Sequence, residues 1–185
     1  TLDGLGNQTQ QVSPDTGNTS NTYDTAGNVL THTDARGKTA TYTYDALNRV
    51  KQVTDPMNRI TTANYDDTVG KMTVTDVATG LLTESVSDML GRTLLFKETR
   101  PNETPYSSTF SYSGNQVTMT DARGVVTTAM TSTFGDTGQT TTAGITNQMR
   151  YSGFGGMTSM TDGNGETTTY GLDGLNRTTM IADPE

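Results

Sequence analysis

The sequence predicts an all-β fold in which antiparallel β-hairpin repeats of about 21 residues form a curved sheet. Three observations predict this fold. A turn motif recurs along the chain at a nearly constant step, and short threonine-rich segments separate the turns. No stretch of about ten residues combines freedom from turn signals with the apolar spacing of a helix. We therefore expect almost no helix.

Composition and charge exclude several classes of protein. The 185 residues include 12 basic and 20 acidic side chains, for a formal net charge of −8. Nucleic acids and anionic membranes attract clusters of lysine and arginine, so neither is an expected partner. Only 30% of the residues are hydrophobic and 17% are charged, while threonine occurs 41 times. Because threonine is β-branched, this composition favours thin extended strands over a disordered coil.

The first repeated motif is a turn that opens with an aromatic or apolar residue and Asp or Ser. That Asp or Ser lies at positions 3, 24, 45, 66, 88, 113, 132, 152 and 173, which suggests about nine repeats. Asp and Asn side chains bond to nearby backbone groups, and Gly tolerates positive φ, so each copy predicts a turn. The predicted first-turn residues are Tyr23, Asp24, Gly27, Tyr44, Asp45, Asn48, Tyr65, Asp66, Asp88, Gly91, Asp173 and Asn176.

A second turn follows each first turn after a short strand. In five copies its aspartate lies ten residues after the first-turn Asp or Ser, whereas Asp15 lies twelve after and Asp121 eight. Positive φ is predicted where a glycine closes a turn, and Gly156 is included in that prediction. The predicted second-turn residues are Asp34, Gly37, Asp55, Asp76, Asp121, Gly124, Asp162, Gly165 and Asp183.

The segments between turns predict half-buried strands, for example 29–33, 38–44 and 125–131. Ala40, Tyr42 and Tyr44 alternate with threonines, which puts the larger side chains on one face. A single hairpin buries too little surface to be stable alone, so neighbouring repeats must pair edge to edge. Tyr44 is accordingly expected to pack between repeats.

The repeats are predicted to form one continuous array over residues 1–185, without a second domain. The step lengthens at an irregular insertion around residues 93–111. There Pro101 and Pro105 flank three polar residues, which predicts an extended loop. Insertions in repeat proteins commonly form loops on one face, and some of those loops bind partners. Both a binding loop and a tolerated insertion fit this stretch.

The repeated pattern resembles the YD-repeat or rearrangement-hotspot (RHS) family. The resemblance extends over essentially the whole chain and is strongest in TYDTAGNVLTHTDARGKTATYTYDALNRVKQVTDPMNR and GLDGLNRTTMIADP, whereas the copies at Ser113 and Ser132 lack the aspartate. It implies a hairpin ribbon that spirals into a hollow β-shell. In bacterial polymorphic toxins and insecticidal toxin complexes, such shells enclose a C-terminal toxin.

The sequence offers no catalytic, cofactor-binding or metal-binding set of residues, and we expect no enzyme activity. There is no cysteine, and His32 is the only histidine, so we expect it to be structural or solvent-facing. Calcium held by the repeated aspartates is an alternative, but turn formation already explains them. Asp183-Pro184 resembles the start of the family's self-cleaving segment. Because Asp55-Pro56 holds the same repeat position, a second turn is the simpler prediction.

The resemblance implies a structural function: this segment encloses or presents a toxin domain encoded beyond residue 185. The alternative is a repeat-based module that binds a cell-surface glycan or protein. Expected partners are the rest of the shell, the enclosed toxin, and a secretion-machine spike or chaperone. No apolar run of about 18 residues predicts membrane insertion. We expect synthesis in a bacterial cytoplasm and delivery without a signal peptide. Exposed terminal strands also predict self-association.

Overall fold

The computed structural model describes residues 1–132 and 135–184, which form two compact units, Thr1–Tyr106 and Ser107–Glu185. The described residues contain seventeen strands and no helix, so the predicted all-β fold is confirmed. The strands are β1 (Gln10–Ser13), β2 (Gly17–Tyr23), β3 (Val29–Thr33), β4 (Thr39–Tyr44), β5 (Val50–Thr54), β6 (Ile60–Asp66), β7 (Lys71–Asp76), β8 (Leu82–Ser87), β9 (Thr93–Thr99), β10 (Tyr106–Ser113), β11 (Gln116–Thr120), β12 (Val126–Thr131), β13 (Thr137–Thr142), β14 (Ile145–Tyr151), β15 (Met157–Thr161), β16 (Thr167–Leu172) and β17 (Thr178–Ala182).

In the first unit, strands β1 to β9 pair antiparallel in chain order. Consecutive hairpins therefore turn at alternate ends of the sheet. The predicted first turns, which connect β2–β3, β4–β5, β6–β7 and β8–β9, share one end, which we call the first-turn end. The predicted second turns share the opposite end, the second-turn end.

The second unit has the same organisation over β10 to β17. Its first turns connect β10–β11, β12–β13, β14–β15 and β16–β17. In both units, each interior strand forms ladders with two neighbours, which satisfies backbone groups without a thick core. Whether the whole chain is one uninterrupted array stays a prediction.

The two faces of each unit differ in chemistry. On one face, here called the hydroxyl face, threonine hydroxyls meet across strands, as in Thr22–Thr31 at 2.7 Å and Thr161–Thr167 at 2.8 Å. The other, here called the apolar face, pairs larger side chains. Examples in register are Tyr42 with Val53, Ala63 with Val74, Phe110 with Met119, and Met149 with Met160. The predicted alternation therefore separates a polar, hydroxyl-rich face from a weakly apolar one.

A β-bulge marks most first-turn hairpins and is a feature that the sequence did not predict. In β2–β3, Thr22 pairs with Thr31 and Tyr23 with Val29, so Leu30 is the extra residue. The same offset makes Lys51, Leu94, Gly138, Thr158 and Thr179 extra residues in five further first-turn hairpins. The second-turn hairpins β3–β4, β5–β6 and β15–β16 keep an unbroken register. A bulge increases local twist and leaves a backbone group without a ladder partner.

Several details differ from the sequence prediction. Positive φ occurs at Gly155 and not at Gly156, because Gly155 is the fourth residue of the turn that Ser152 opens. Most of the insertion around 93–111 lies in β9 and β10, and only residues 100–105 form a loop. The β13–β14 turn, formed by Ala143 and Gly144, was missed because its opening residue is Thr and not Asp. Both of its residues have positive φ, as a tight two-residue hairpin requires.

Candidate functional site

The regular turns share one hydrogen-bond arrangement, which Asp45 illustrates. Its Oδ1 accepts hydrogen bonds from the backbone N–H groups of Leu47 and Arg49, both at 2.9 Å. Its backbone carbonyl accepts from Asn48 N–H at 3.1 Å, and Asn48 has a φ of 61°. The arrangement recurs at Asp3, Asp24, Asp34, Asp55, Asp88, Asp121, Asp162 and Asp173. The fourth turn position has positive φ at Gly27, Gly37, Gly91, Gly124, Gly165 and Asn176.

Three of the predicted turn aspartates are placed differently. Asp66 is the last residue of β6 and precedes a four-residue loop, where its Oδ1 accepts from Thr68. Asp76 opens a longer turn, in which its N–H donates to Leu81 and its carbonyl accepts from Gly80. Asp183 follows β17 and accepts a hydrogen bond from the Thr168 hydroxyl at 3.0 Å.

These hydrogen bonds favour the charged carboxylates. The pKa of Asp45 lies below its ordinary value, chiefly because the Arg49 backbone N–H donates to it and further because the Arg49 side chain does. The pKa of Asp24 is lowered chiefly by the Asn28 side chain and next by its backbone N–H. Asp34, Asp55, Asp88 and Asp173 also have lowered pKa values, in each case chiefly through a backbone N–H four residues on.

We predict acid destabilisation from these lowered pKa values. A folded-state pKa below the unfolded one gives stability above the unfolded pKa, and this stability is lost as the pH falls below about 4. Asp45→Asn should lower the melting temperature near neutral pH. On acidification, its melting temperature should fall less than that of the wild type, because residue 45 no longer takes up a proton. Melting curves between about pH 7 and pH 3 test this. An Asp45→Asn protein with the wild-type acid dependence would contradict it.

Tyrosine hydroxyls join one repeat to the one before it. The Tyr44 hydroxyl donates to the Val29 carbonyl at 2.8 Å, and the Tyr65 hydroxyl donates to the Val50 carbonyl at 2.9 Å. In both cases the accepting carbonyl belongs to the residue just before the bulged one, so the tyrosine supplies a partner near the ladder break. Burial, followed by the charge of Asp24, raises the pKa of Tyr44.

The same joint occurs at other repeats. Tyr23 donates its hydroxyl to the Gln8 carbonyl at 2.7 Å, and Tyr151 donates to the Thr137 carbonyl at 3.0 Å. Tyr44, which was predicted to pack between repeats, thus makes a specific hydrogen bond there. No signal in the sequence identifies the acceptor, because it lies fifteen residues upstream on another strand.

Neighbouring first turns also touch through their side chains. Asn28 Nδ2 donates to Asn48 Oδ1 at 2.9 Å. The Arg49 guanidinium bonds to Asp45 in its own turn at 2.7 Å and to Asp67 in the next loop at 2.6 Å and 3.1 Å. It also lies over the Tyr65 ring, 4.1 Å from the centroid. Arg49 and Asp67 were missed as joint residues because their contact depends on which turns become neighbours.

The hydroxyl face of the first unit carries one charged cluster. Glu84 pairs with Lys71 and with Lys97, the latter at 3.2 Å between Lys97 Nζ and Glu84 Oε2. Lys97 lies directly opposite Glu84 in the β8–β9 ladder. The hydrogen bond from Lys71, and then that from Lys97, lowers the pKa of Glu84. The cluster is therefore a cross-strand ionic brace in which one carboxylate lies between two ammonium groups.

The loop at residues 100–105 and the lone histidine both have structural contacts. Arg100 pairs with Glu98 at 2.7 Å, and Asn102 takes a positive φ of 62°. A Cβ on Gly80 would lie 2.7 Å from Pro101 Cγ, so the loop packs closely on the β7–β8 turn. His32 Nδ1 lies 2.7 Å from Asn21 Oδ1, its cross-strand neighbour on the apolar face.

No metal centre and no membrane-spanning helix is found in the described part of the chain. Within residues 1–132 and 135–184, no three acidic or histidine side chains converge in a way that could hold a metal ion. The same residues include no helix that is long and apolar enough to span a bilayer. What the geometry does show is a set of repeated turns, tyrosine joints and cross-strand braces.

These features define a β-hairpin repeat protein. The RHS Repeat family model matches residues 23–60, which confirms the resemblance to the YD-repeat or RHS family. The match covers the segment in which the two turns are most regular. Comparison with curated protein sequences gave no significant match.

The fold is shared with solved toxin-complex structures. Similar chains occur in the crystal structures of TcdB2-TccC3-TEV, with a TM-score of 0.72 and 19% identity, and of TcdB2-TccC3, with 0.72 and 17%. Another occurs in the Photorhabdus luminescens Tc holotoxin pore, with a TM-score of 0.63 and 18% identity. Each alignment covers 96% of this chain but only 10–11% of the other chain. The present chain therefore spans about a tenth of the length of those proteins.

Proposed function

We propose that this chain is a structural segment of the wall of an RHS-repeat toxin, one that encapsulates or presents a C-terminal toxin domain. The observation that carries the proposal is the joined hairpin array, whose fold matches chains of the TcdB2-TccC3 structures over 96% of its length. In this proposal the segment is not an enzyme. Its work is to remain closed and folded around or beside a passenger polypeptide.

The contacts support such a role in two ways. Ladders between strands, tyrosine joints between repeats and side-chain contacts between turns hold neighbouring hairpins together at several points. The two faces are also chemically distinct, and the charge of Glu84 on the hydroxyl face is compensated by two lysines. A wall of this kind separates two environments without a thick hydrophobic core.

The proposal extends to partners and location. The partners would be the remaining shell, the enclosed toxin, and a secretion-machine spike or chaperone. The protein would be made in a bacterial cytoplasm and delivered to a target cell by a route that needs no signal peptide. Neither nucleic acid nor membrane insertion has a part in this function. The net charge of −8 supports the exclusion of nucleic acid.

Protease protection of the polypeptide that follows the repeats tests the proposal. In the protein that carries this segment, the C-terminal polypeptide should resist digestion and co-purify with the repeats after cleavage between them. Gly70→Ala, which disturbs the wall, should increase its digestion, whereas Gly91→Ala serves as the matched control. Equal digestion with and without residues 1–185 would contradict encapsulation.

A further inference from the structure

In each unit, the first-turn end presents apolar side chains at the tips of several turns. We call this the first-turn row: Leu5, Ala26, Leu47, Val69 and Leu90 in the first unit, and Phe154 and Leu175 in the second. Leu5, Leu47, Leu90 and Leu175 are 65–77% exposed, and Phe154 is 93% exposed. Side chains of this size, repeated in an otherwise polar chain, indicate an interaction surface.

Turn geometry does not account for these residues. In the regular first turns they occupy the third position, where only the backbone N–H is used, as Leu47 shows by donating to Asp45 Oδ1. Second turns have the same hydrogen bonds but place Arg36, Met57, Arg123 and Asn164 at this position. Three of these four second-turn residues are polar and only Met57 is apolar, so apolar tips are more frequent at the first-turn end.

Charge is compensated within the three first turns that carry Leu47, Leu90 and Leu175. Asp45 pairs with Arg49 at 2.7 Å, Asp88 with Arg92 at 2.6 Å, and Asp173 with Arg177 at 2.7 Å. These three tips can thus approach another copy of the chain without strong like-charge repulsion, despite the net charge of −8 on the chain. At the second-turn end, Arg36 and Arg123 pair with Asp34 and Asp121 in the same way, both at 2.8 Å.

The second unit also offers a receptacle for an apolar tip. Phe154, Leu172 and Leu175 line a groove of about 460 Å³ between two adjacent first turns. The groove is held open by contacts between the turns, since Asn176 Nδ2 donates to the Phe154 carbonyl at 2.9 Å and Ser152 Oγ donates to Asn176 Oδ1 at 3.0 Å. A large apolar side chain from another turn fits the chemistry of this lining.

We propose that the first-turn row docks against the first-turn row of a second copy of this chain. Adjacent first turns are two strands apart, about 10 Å, so two identical rows have the same period and their tips can interdigitate. A two-fold arrangement makes the contact self-complementary. The inference goes beyond the proposed function and holds whether or not the repeats enclose a passenger.

Sedimentation equilibrium on the wild-type chain and on a variant with serine at positions 47, 90, 154 and 175 tests the proposal. We expect the wild-type mass to rise with concentration, and the variant to weaken association at least about tenfold. Met57→Ser, at an apolar tip of the second-turn end, is the matched control and should associate like the wild type. Circular dichroism checks that each variant is folded.

Disulfide cross-linking provides a second readout. Because the chain has no cysteine, an introduced cysteine is the only thiol that can react. Leu175→Cys should form a disulfide-linked dimer under mild oxidation, while Met57→Cys should not. A wild-type monomer at every concentration, or undiminished association of the serine variant, would overturn the proposal. A third result would also overturn it: Ile181→Lys on β17 abolishes association while the serine variant still associates. That result would assign the contact to the edge of the sheet.

Discussion

Gly70→Ala is expected to lower the free energy of unfolding by about 2–4 kcal/mol, a large effect for a single substitution. Gly70 has a φ of +63°, where an alanine side chain is strained. A Cβ at this position would also clash with the Ser87 backbone carbonyl oxygen. The backbone at the end of β8 would have to move, and the hydrogen bond from Ser87 N–H to the Gly70 carbonyl, 2.9 Å long, would weaken.

Gly91→Ala is the matched control for this prediction. Gly91 has a φ of +76°, and nothing lies within 4 Å of the position that a Cβ would take there, so only the backbone strain is added. We expect a loss of about 1 kcal/mol. Urea unfolding of both variants measures the difference, and equal losses would show that the approach to Ser87 has no energetic consequence.

Removing three tyrosine hydroxyls together should destabilise the first unit by about 2–4 kcal/mol. The variant replaces Tyr23, Tyr44 and Tyr65 with phenylalanine, which keeps the rings but leaves the carbonyls of Gln8, Val29 and Val50 without these donors. Successive tyrosines lie two strands apart, about 10 Å, so their contributions should be nearly additive.

Tyr42→Phe is the control for the hydroxyl prediction. Tyr42 lies on the same strand and face as Tyr44, and its hydroxyl has no hydrogen bond to any described residue. We expect a change below about 0.5 kcal/mol. Thermal and urea unfolding of the single, triple and control variants provide the comparison. A triple variant as stable as Tyr42→Phe would show that the joints are incidental.

Local chemistry explains what the sequence predicted well. An aspartate such as Asp45 bonds to backbone groups two and four residues ahead, and the residue that needs positive φ follows three residues later. All of this lies within five residues, so the turns and the period are readable from sequence. Alternation within a strand, as in β4, is equally local.

The features that were missed depend on partners far along the chain. A bulge is defined by the register between two strands. Its extra residue is Leu30, Lys51 or Gly138 in three of the hairpins, so no single residue type marks it. Arg49 is an ordinary turn residue until the neighbouring loop brings Asp67 within 2.6 Å. The proposed function has the same limitation, because residues outside the repeats would determine which polypeptide they enclose.

The alternation of bulged first-turn hairpins and unbroken second-turn hairpins makes two strands the smallest interchangeable unit. Excising residues 24–44 would join Tyr23 directly to Asp45. The new hairpin would again have a tyrosine before its turn and a bulge after it, and each face would keep the same kind of side chains. Removing a single strand would instead reverse every strand that follows and move its turns to the opposite end of the sheet. The array can therefore lengthen or shorten in whole two-strand steps without a new folding solution.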